Sequence, residues 1–458
     1  MPSKTQTWTF ISDFYEPHIR RVTLQLDIEK CNYTTVVVEP HPSSGGDEFL
    51  ENRLVKLHAD GLDTEAAVQE RNRIAEQIAS LCRAKYGRSA PPFGSVVYAF
   101  TASSRFQVAD LPDHRLTPAL KTAPETFGTD IPLPPLVPRA QLKPVAGIGQ
   151  FLLSQTRLVE YRGTLHIAKG PIYPQRAMLD LSEVRNLLSL PGRHPNLIDP
   201  PAALITLSET DERVCGFLTT YHANGNLDFY ARQLRQEGRL TPQLLVKWAR
   251  QLVDAVSFLA QHQSFHGDLK PDNIVVTENE DIVLIDFTRL FTTFVTASPE
   301  VRKLCTQSGG TTLGIPVHWP MESIVRSEVY SIGRTLYLVG EGVEMAKVYR
   351  DMGWTRDGAF PTVFSATSSA PPELQRIISL CVSQDPAQRP SLEALAEMLR
   401  AADQKLNSKG KKIMTRNWSF RRRRRRTDEA VVSRPFCMIG SRLLFRRESS
   451  SCSGSGVV

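Results

Sequence analysis

The stretch HGDLKPDNIVV (266–276), followed ten residues after Asn273 by VLIDF (283–287), constrains this chain more than any other. Asp268 and Asn273 lie five positions apart, and Pro271 between them interrupts any regular helix. A loop of this kind can aim a carboxylate at a substrate hydroxyl while the amide oxygen of Asn273 reaches a metal. Lys270 would then sit beside a transferring phosphoryl group and offset its growing negative charge. NIVV and IVLI read as two short strands around the turn TENED. That hairpin returns Asp286 to the neighbourhood of Asn273, so both can ligate Mg²⁺, which takes oxygen ligands. The spacing is that of a phosphoryl-transfer site.

The 458 residues leave room for a large domain with accessories, and a 41% hydrophobic fraction suffices for a buried core. Charge is unevenly placed. Residues 403–458 hold 15 Lys/Arg against 4 Asp/Glu, so the overall +7 leaves residues 1–402 slightly acidic. Seven scattered cysteines without a C-x-x-C pair argue against a zinc site or a disulfide scaffold and fit a reducing, intracellular setting, cytoplasmic or nuclear. The N-terminal stretch lacks a signal-peptide-like apolar segment, and no run of about 18 apolar residues suggests a membrane span.

Residues 1–106 read as a small α+β extension of unassigned role. WTFISDF, RRVTLQLDI, TTVVVEP and GSVVYAF are β-rich, and 64–87 carries Val68, Ile74, Ile78 and Leu81 at helical spacing. Residues 107–144, with eight prolines from Pro112 to Pro144, read as an extended linker. The main domain covers 145–402. The tail, 403–458, reads as disordered. Its RRRRRR run (421–426) suits an anionic partner, whether nucleic acid, lipid or an import receptor, or a solvated run with none.

HGDLKPDN together with IDF resembles the catalytic loop and metal-binding motif of the eukaryotic protein kinase family. The resemblance covers about 145–402. It implies a two-lobed α+β fold with a β-rich N-lobe and a helical C-lobe, ATP and Mg²⁺ as cofactors, and a protein substrate. Asp268 and Lys270 would be catalytic, and Asn273 and Asp286 would hold the metal. Lys169, ending the strand-like TLHIAK, looks like the lysine that holds the ATP phosphates, and Glu183, fourteen residues later, would pair with it. VCGFLTTYHANGN resembles the last N-lobe strand and the hinge. Thr219 would line the adenine pocket, with backbone groups of Thr220, Tyr221 and His222 bonding the base. The apolar positions of 239–265 match the central C-lobe helix. GIPVHWPMES resembles the end of the activation segment, which places Glu322 as its closing glutamate, paired with Arg389 of DPAQRPS. The segment from Asp286 to Glu322 would then span 37 residues. Glu328 stands where an aspartate is usual.

Three positions depart from the family. Only Gly147 and Gly149, in AGIGQFLLSQT, represent the glycine-rich loop that covers phosphates. Gly267 replaces an arginine that pairs with an activation-segment phosphate, which argues against switching by phosphorylation. Thr288 replaces the glycine after Asp286-Phe287. The resulting expectation is a divergent Ser/Thr protein kinase. The alternatives are a pseudokinase serving as a nucleotide-binding or scaffold module, and a small-molecule phosphotransferase of the aminoglycoside or choline kinase type, which shares the H-G-D pattern.

Overall fold

The computed structural model describes residues 9–16, 21–27, 33–39, 49–62, 64–86, 96–102, 105–111, 116–147, 154–171, 181–287, 289, 292–307, 314–345 and 363–408. Gly149, Thr288 and the RRRRRR run lie outside them.

The first sheet has the order β1 (Thr9–Glu16), β2 (Arg21–Asp27), β3 (Tyr33–Val38), β4 (Val96–Ala102), β5 (Arg105–Leu111). Strand β3 runs parallel to β4, and the crossover between them is α1 (Leu50–Asp60) and α2 (Glu65–Tyr86). Alternating Val22, Leu24 and Leu26 on β2 put one face of the sheet against Ile74, Ile78 and Cys82 of α2, all fully buried. Glu51, buried at the start of α1, is satisfied by the Thr101 backbone N–H and hydroxyl.

Residues 116–142 are not an extended linker. They form α3 (Leu116–Ala119), α4 (Ala123–Phe127) and the strand β6 (Leu136–Pro138). The reason lies in their partners. Thr122 and Glu125 form a reciprocal capping box with Pro124 in the first turn of α4. IPLPP then leads into β6, an edge strand, where prolines cost no ladder hydrogen bond.

The second sheet has the order β6-β10-β11-β9-β8-β7, with β7 (Lys143–Gly147), β8 (Ser154–Tyr161), β9 (Thr164–Pro171), β10 (Ala203–Thr206) and β11 (Val214–Thr220). Leu120, Val137 and Leu142 bury Val159, Ala168, Ile205 and Leu218 on one face. Helix α5 (Ser182–Leu188) lies against Phe217 and Leu204.

The second lobe is helical. It comprises α6 (Leu227–Gln236), α7 (Pro242–Gln261), the hairpin of β12 (Ile274–Val276) and β13 (Ile282–Leu284), α8 (Pro299–Gln307), α9 (Met321–Glu341), α10 (Pro372–Cys381) and a last helix, 392–408. Helix α7 carries the stripe expected at Leu244, Trp248, Leu252, Val256 and Leu259, of which the last four are buried while Leu244 is half-buried and Leu245 is buried beside it. Helix α9 is buried nearly all round over its last four turns. Gly333 lets it approach α10, since a Cβ there would lie 2.6 Å from Cys381 Cβ. The chain is thus two-lobed, β-rich then helical. Among the described residues no helix is long and apolar enough to cross a membrane.

Candidate active site

Lys169 lies on β9, which continues to Pro171, and Phe217 of β11 is its register partner. Its ammonium lies 2.5 Å from Glu183 Oε2 on α5 and 2.9 Å from Asp286 Oδ1. The Asp286 backbone N–H also donates to Glu183 Oε1, at 3.1 Å. Burial works against the charge on Lys169, but Asp286 and Glu183 outweigh it and hold its pKa above the usual lysine range. Burial likewise opposes ionisation of Asp286, and Lys169 overcomes it, leaving the carboxyl below its ordinary value. Asp286 adopts φ +70°, a left-handed backbone that is strained for a residue with a Cβ. The contacts to Lys169 and Glu183, with Phe287 fully buried against His266, hold it there.

The loop 266–273 is a braced turn. Asn273 Nδ2 donates to Asp268 O at 2.9 Å and to Asp268 Oδ2 at 3.0 Å, which turns the amide oxygen of Asn273 away from Asp268. Lys270 Nζ lies 2.9 Å from Asp268 Oδ2 and donates to Thr293 Oγ1 at 2.8 Å. The Thr293 backbone N–H donates to Asp268 Oδ1. The Asp268 backbone N–H donates to His266 Nδ1, so His266 is neutral with its proton on Nε2, which donates to Ile285 O at 2.8 Å. Below the loop, Glu328 Oε1 on α9 accepts from the backbone N–H of His266 and Gly267. Burial pushes the Glu328 carboxyl up to about 7, against those two bonds and the nearby Arg289.

Gly267 has φ +89°, and a Cβ there would lie 3.2 Å from Arg289 Cα. The space is taken from the other side. Arg289 reaches back from the segment after Asp286 to Ser264 Oγ and Phe265 O, with its guanidinium over the Phe265 ring. Thr292 Oγ1 donates to Gly267 O. Asn186 Nδ2 on α5 donates to Phe287 O.

The structure corrects the closing ion pair. Arg389, with its side chain fully buried, makes a two-pronged bond to Glu300, Nη1–Oε1 2.6 Å and Nη2–Oε2 2.9 Å. Glu322 is 78% exposed and pairs with Arg326 one turn along α9. Glu322 opens a helix on the lobe surface, whereas Glu300 opens α8 beside Arg389. The segment from Asp286 therefore closes at Glu300 and spans 15 residues rather than 37. A sequence signal existed in ASPE (297–300), where proline and glutamate begin a helix.

A sequence model of the protein tyrosine and serine/threonine kinase family matches residues 173–399. Just under half of the chain matches that model, and the chain thus carries a eukaryotic protein kinase-like domain. Within this kinase-like domain Lys169 meets Glu183 and Asp286, and Asn273 meets Asp268. The chain is 27% identical over 221 residues to CBL-interacting protein kinase 5 of Oryza sativa subsp. japonica, covering 45% of this chain and 42% of that protein. It is 24% identical over 221 residues to CBL-interacting serine/threonine-protein kinase 10 of Arabidopsis thaliana, covering 45% and 41%. The matches thus span less than half of those relatives' own length.

The residues expected at the hinge, Thr219, Thr220, Tyr221 and His222, lie at the end of β11 and on the stretch leading to α6. Gly225, at φ +71°, makes the turn there. Thr219 Oγ1 is buried with no protein hydrogen-bond partner among the described residues. Asp286 and Asn273 offer a carboxylate and an amide oxygen, the hard donors that magnesium prefers. Gly147 ends β7 opposite Arg157 of β8. Thr293, Arg289 and Asn186 were not legible as site residues because each acts through a partner distant in sequence.

Proposed function

We propose that this kinase domain transfers the γ-phosphoryl group of Mg²⁺–ATP to a serine or threonine hydroxyl of a protein. The observation that carries the reading is the contact set of Asp268, Lys270 and Thr293. The Asp268 carboxylate is held by Thr293 N–H, Asn273 Nδ2 and Lys270 Nζ, and the Thr293 hydroxyl accepts from the same lysine. Such bracing fixes the carboxylate for an incoming hydroxyl and keeps a cation beside the site of phosphoryl transfer.

In this reading Asp268 orients the substrate hydroxyl and accepts its proton. Lys270 offsets charge on the moving phosphoryl group. Lys169, positioned by Glu183, anchors the nucleotide phosphates. Asn273 and Asp286 would hold Mg²⁺, which supplies charge neutralisation across the phosphates. Thr219 and the backbone of Thr220 to His222 would receive the adenine, with Gly147 and Gly149 at the phosphate cover. The protein substrates, and an anionic partner for the Arg run, belong to the same proposal. Similarity to the Arabidopsis thaliana CBL-interacting serine/threonine-protein kinase 10 supports the serine/threonine assignment.

The test is phosphate transfer from Mg²⁺–ATP by the full chain, to itself and to a generic Ser/Thr peptide, beside Asp268→Asn. Removing a positioned general base is expected to cost about 10²–10⁴ in rate with nucleotide binding retained. Equal transfer by Asp268→Asn would remove Asp268 from the reaction. Nucleotide binding without protein phosphorylation by the wild type would favour the pseudokinase or small-molecule alternatives.

A further inference from the structure

Helix α5 has only seven residues, and its N-cap, Leu181, makes no side-chain capping bond. A helix this short cannot hold itself in water, so its position is set by what packs on it. On one side stand the groups of the site, Lys169 on Glu183 and Phe287 O on Asn186. On the other side stands α4. Phe127, 4% exposed, fills the space between Leu181, Val184 and Phe217, with Ala123 beside it. Arg185 Nη2 donates to Thr126 O on the last turn of α4.

The segment carrying α4 is itself fixed to the rigid sheet. Val214 N–H donates to Lys121 O, Arg213 Nη1 donates to Thr117 O, and Leu204 N–H donates to Pro135 O beside β6. One end of this segment therefore rests on β10 and β11, and its middle rests on α5.

We propose that residues 116–142 are an intramolecular clamp that holds α5 where Glu183 meets Lys169, with Phe127 as its positioning residue. The clamp makes the engaged pair a property of the chain itself. It requires neither a partner protein nor a phosphate on the 15-residue segment from Asp286 to Glu300. Withdrawing α5 from the site would uncover Phe127 and leave the Arg185 guanidinium without its carbonyl, so the clamp opposes the disengaged state. The inference rests on the kinase reading for the role of Glu183. It does not rest on that reading for the placement of α5.

The test uses the full chain with Phe127→Ala and Phe127→Leu, followed by hydrogen exchange and by transfer kinetics. In Phe127→Ala, exchange at 182–188 is expected to rise about tenfold, while α7 and β10–β11 stay as in the wild type. The kcat is expected to fall about tenfold with a smaller change in KM for the peptide, and Phe127→Leu is expected to restore most of both. Unchanged exchange at 182–188 would overturn the clamp, as would an equal rise across both lobes or an unaltered kcat in an active enzyme. If the wild type transfers no phosphate while exchange at 182–188 still rises selectively in Phe127→Ala, the catalytic reading fails and the clamp stands.

Discussion

Helices α5 and α7 are placed by opposite means. Helix α7 has 20 residues, Pro242 in its first turn, a Thr241 side chain that accepts the Leu244 N–H, and nine buried positions. It would be laid down the same way by any neighbours that covered its stripe. Helix α5 has seven residues, no side-chain cap, and a location imposed by Lys169, Phe287 and α4. The two sides of the site inherit this difference. Asp268 stands on a loop a few residues beyond the end of α7, braced by groups within 25 residues of it. Glu183 depends on a partner 103 residues away and on a clamp that begins before the sheet. The Asp268 carboxylate is thus locally determined, whereas the Lys169–Glu183 pair is assembled at long range.

The largest effect that would test this contrast comes from α7. Trp248 is 1% exposed, and its indole N–H donates to Glu280 O at the hairpin turn. Trp248→Ala removes the side chain that joins α7 to the turn between β12 and β13. It is expected to cost about 3–5 kcal/mol in chemical denaturation of the helical lobe. A loss below about 1 kcal/mol would mean that α7 does not anchor the hairpin of β12 and β13.

Next comes the pair that closes the segment after Asp286. Glu300→Ala leaves the fully buried Arg389 side chain with Ser383 O, Arg326 O and the Tyr330 ring, and without a counter-charge. An uncompensated buried charge of this kind is expected to cost about 3–5 kcal/mol. Thermal unfolding of the variant, compared with Glu300→Gln, separates the lost charge from the lost side chain.

These two sites also show how much could be read beforehand. The helix of α7, the hairpin after Asn273 and the broken loop carrying Asp268 were legible because each is a pattern within a few residues: a 3–4 period, a turn, a proline. Lys169 and Glu183 were legible through order along the chain. Partner choice was not. Both Glu300 and Glu322 follow a proline near a helix start, and nothing local says which one faces Arg389. The prolines of 112–144 suggested an extended linker because their effect on φ is local, whereas the contacts that fold 116–142 come from β10, β11 and α5. The same limit hid Arg289, whose contacts at Ser264 and Phe265 fill the room that Gly267 leaves.

A smaller effect follows from pH. Burial lowers the pKa of His266, with the bond to Ile285 O and the charge of Asp268 opposing. Because the folded value lies below that of a free imidazole, the unfolded chain binds the proton more readily as pH falls. The contribution of His266 is therefore fully present above about pH 6.5 and is lost as pH drops through the lower folded value. Protonating Nδ1 would also remove the acceptor for the Asp268 N–H. The melting temperature is expected to fall below pH 6.5, and part of that dependence is expected to disappear in His266→Phe. A pH profile identical in the two proteins would show that the imidazole carries none of it.

The smallest expected effect is the sharpest check on how the segment closes. Glu322 is 78% exposed and meets only Arg326 among the described ion pairs, on the outer face of the first turns of α9. Solvent screens that pair, and Arg326 keeps its bonds to the Pro386 and Arg389 carbonyls whether or not Glu322 is present. Glu322→Ala is therefore expected to change stability by about 0.5 kcal/mol or less. Transfer activity should not change either, because Arg389 and the segment from Asp286 are held through Glu300. A loss comparable to that of Glu300→Ala would mean that Arg389 takes Glu322 in solution, and the 15-residue segment would have to be redrawn as the longer one. Near-identity of Glu322→Ala with the wild type, beside a clear loss in Glu300→Ala, would fix the end of that segment at α8.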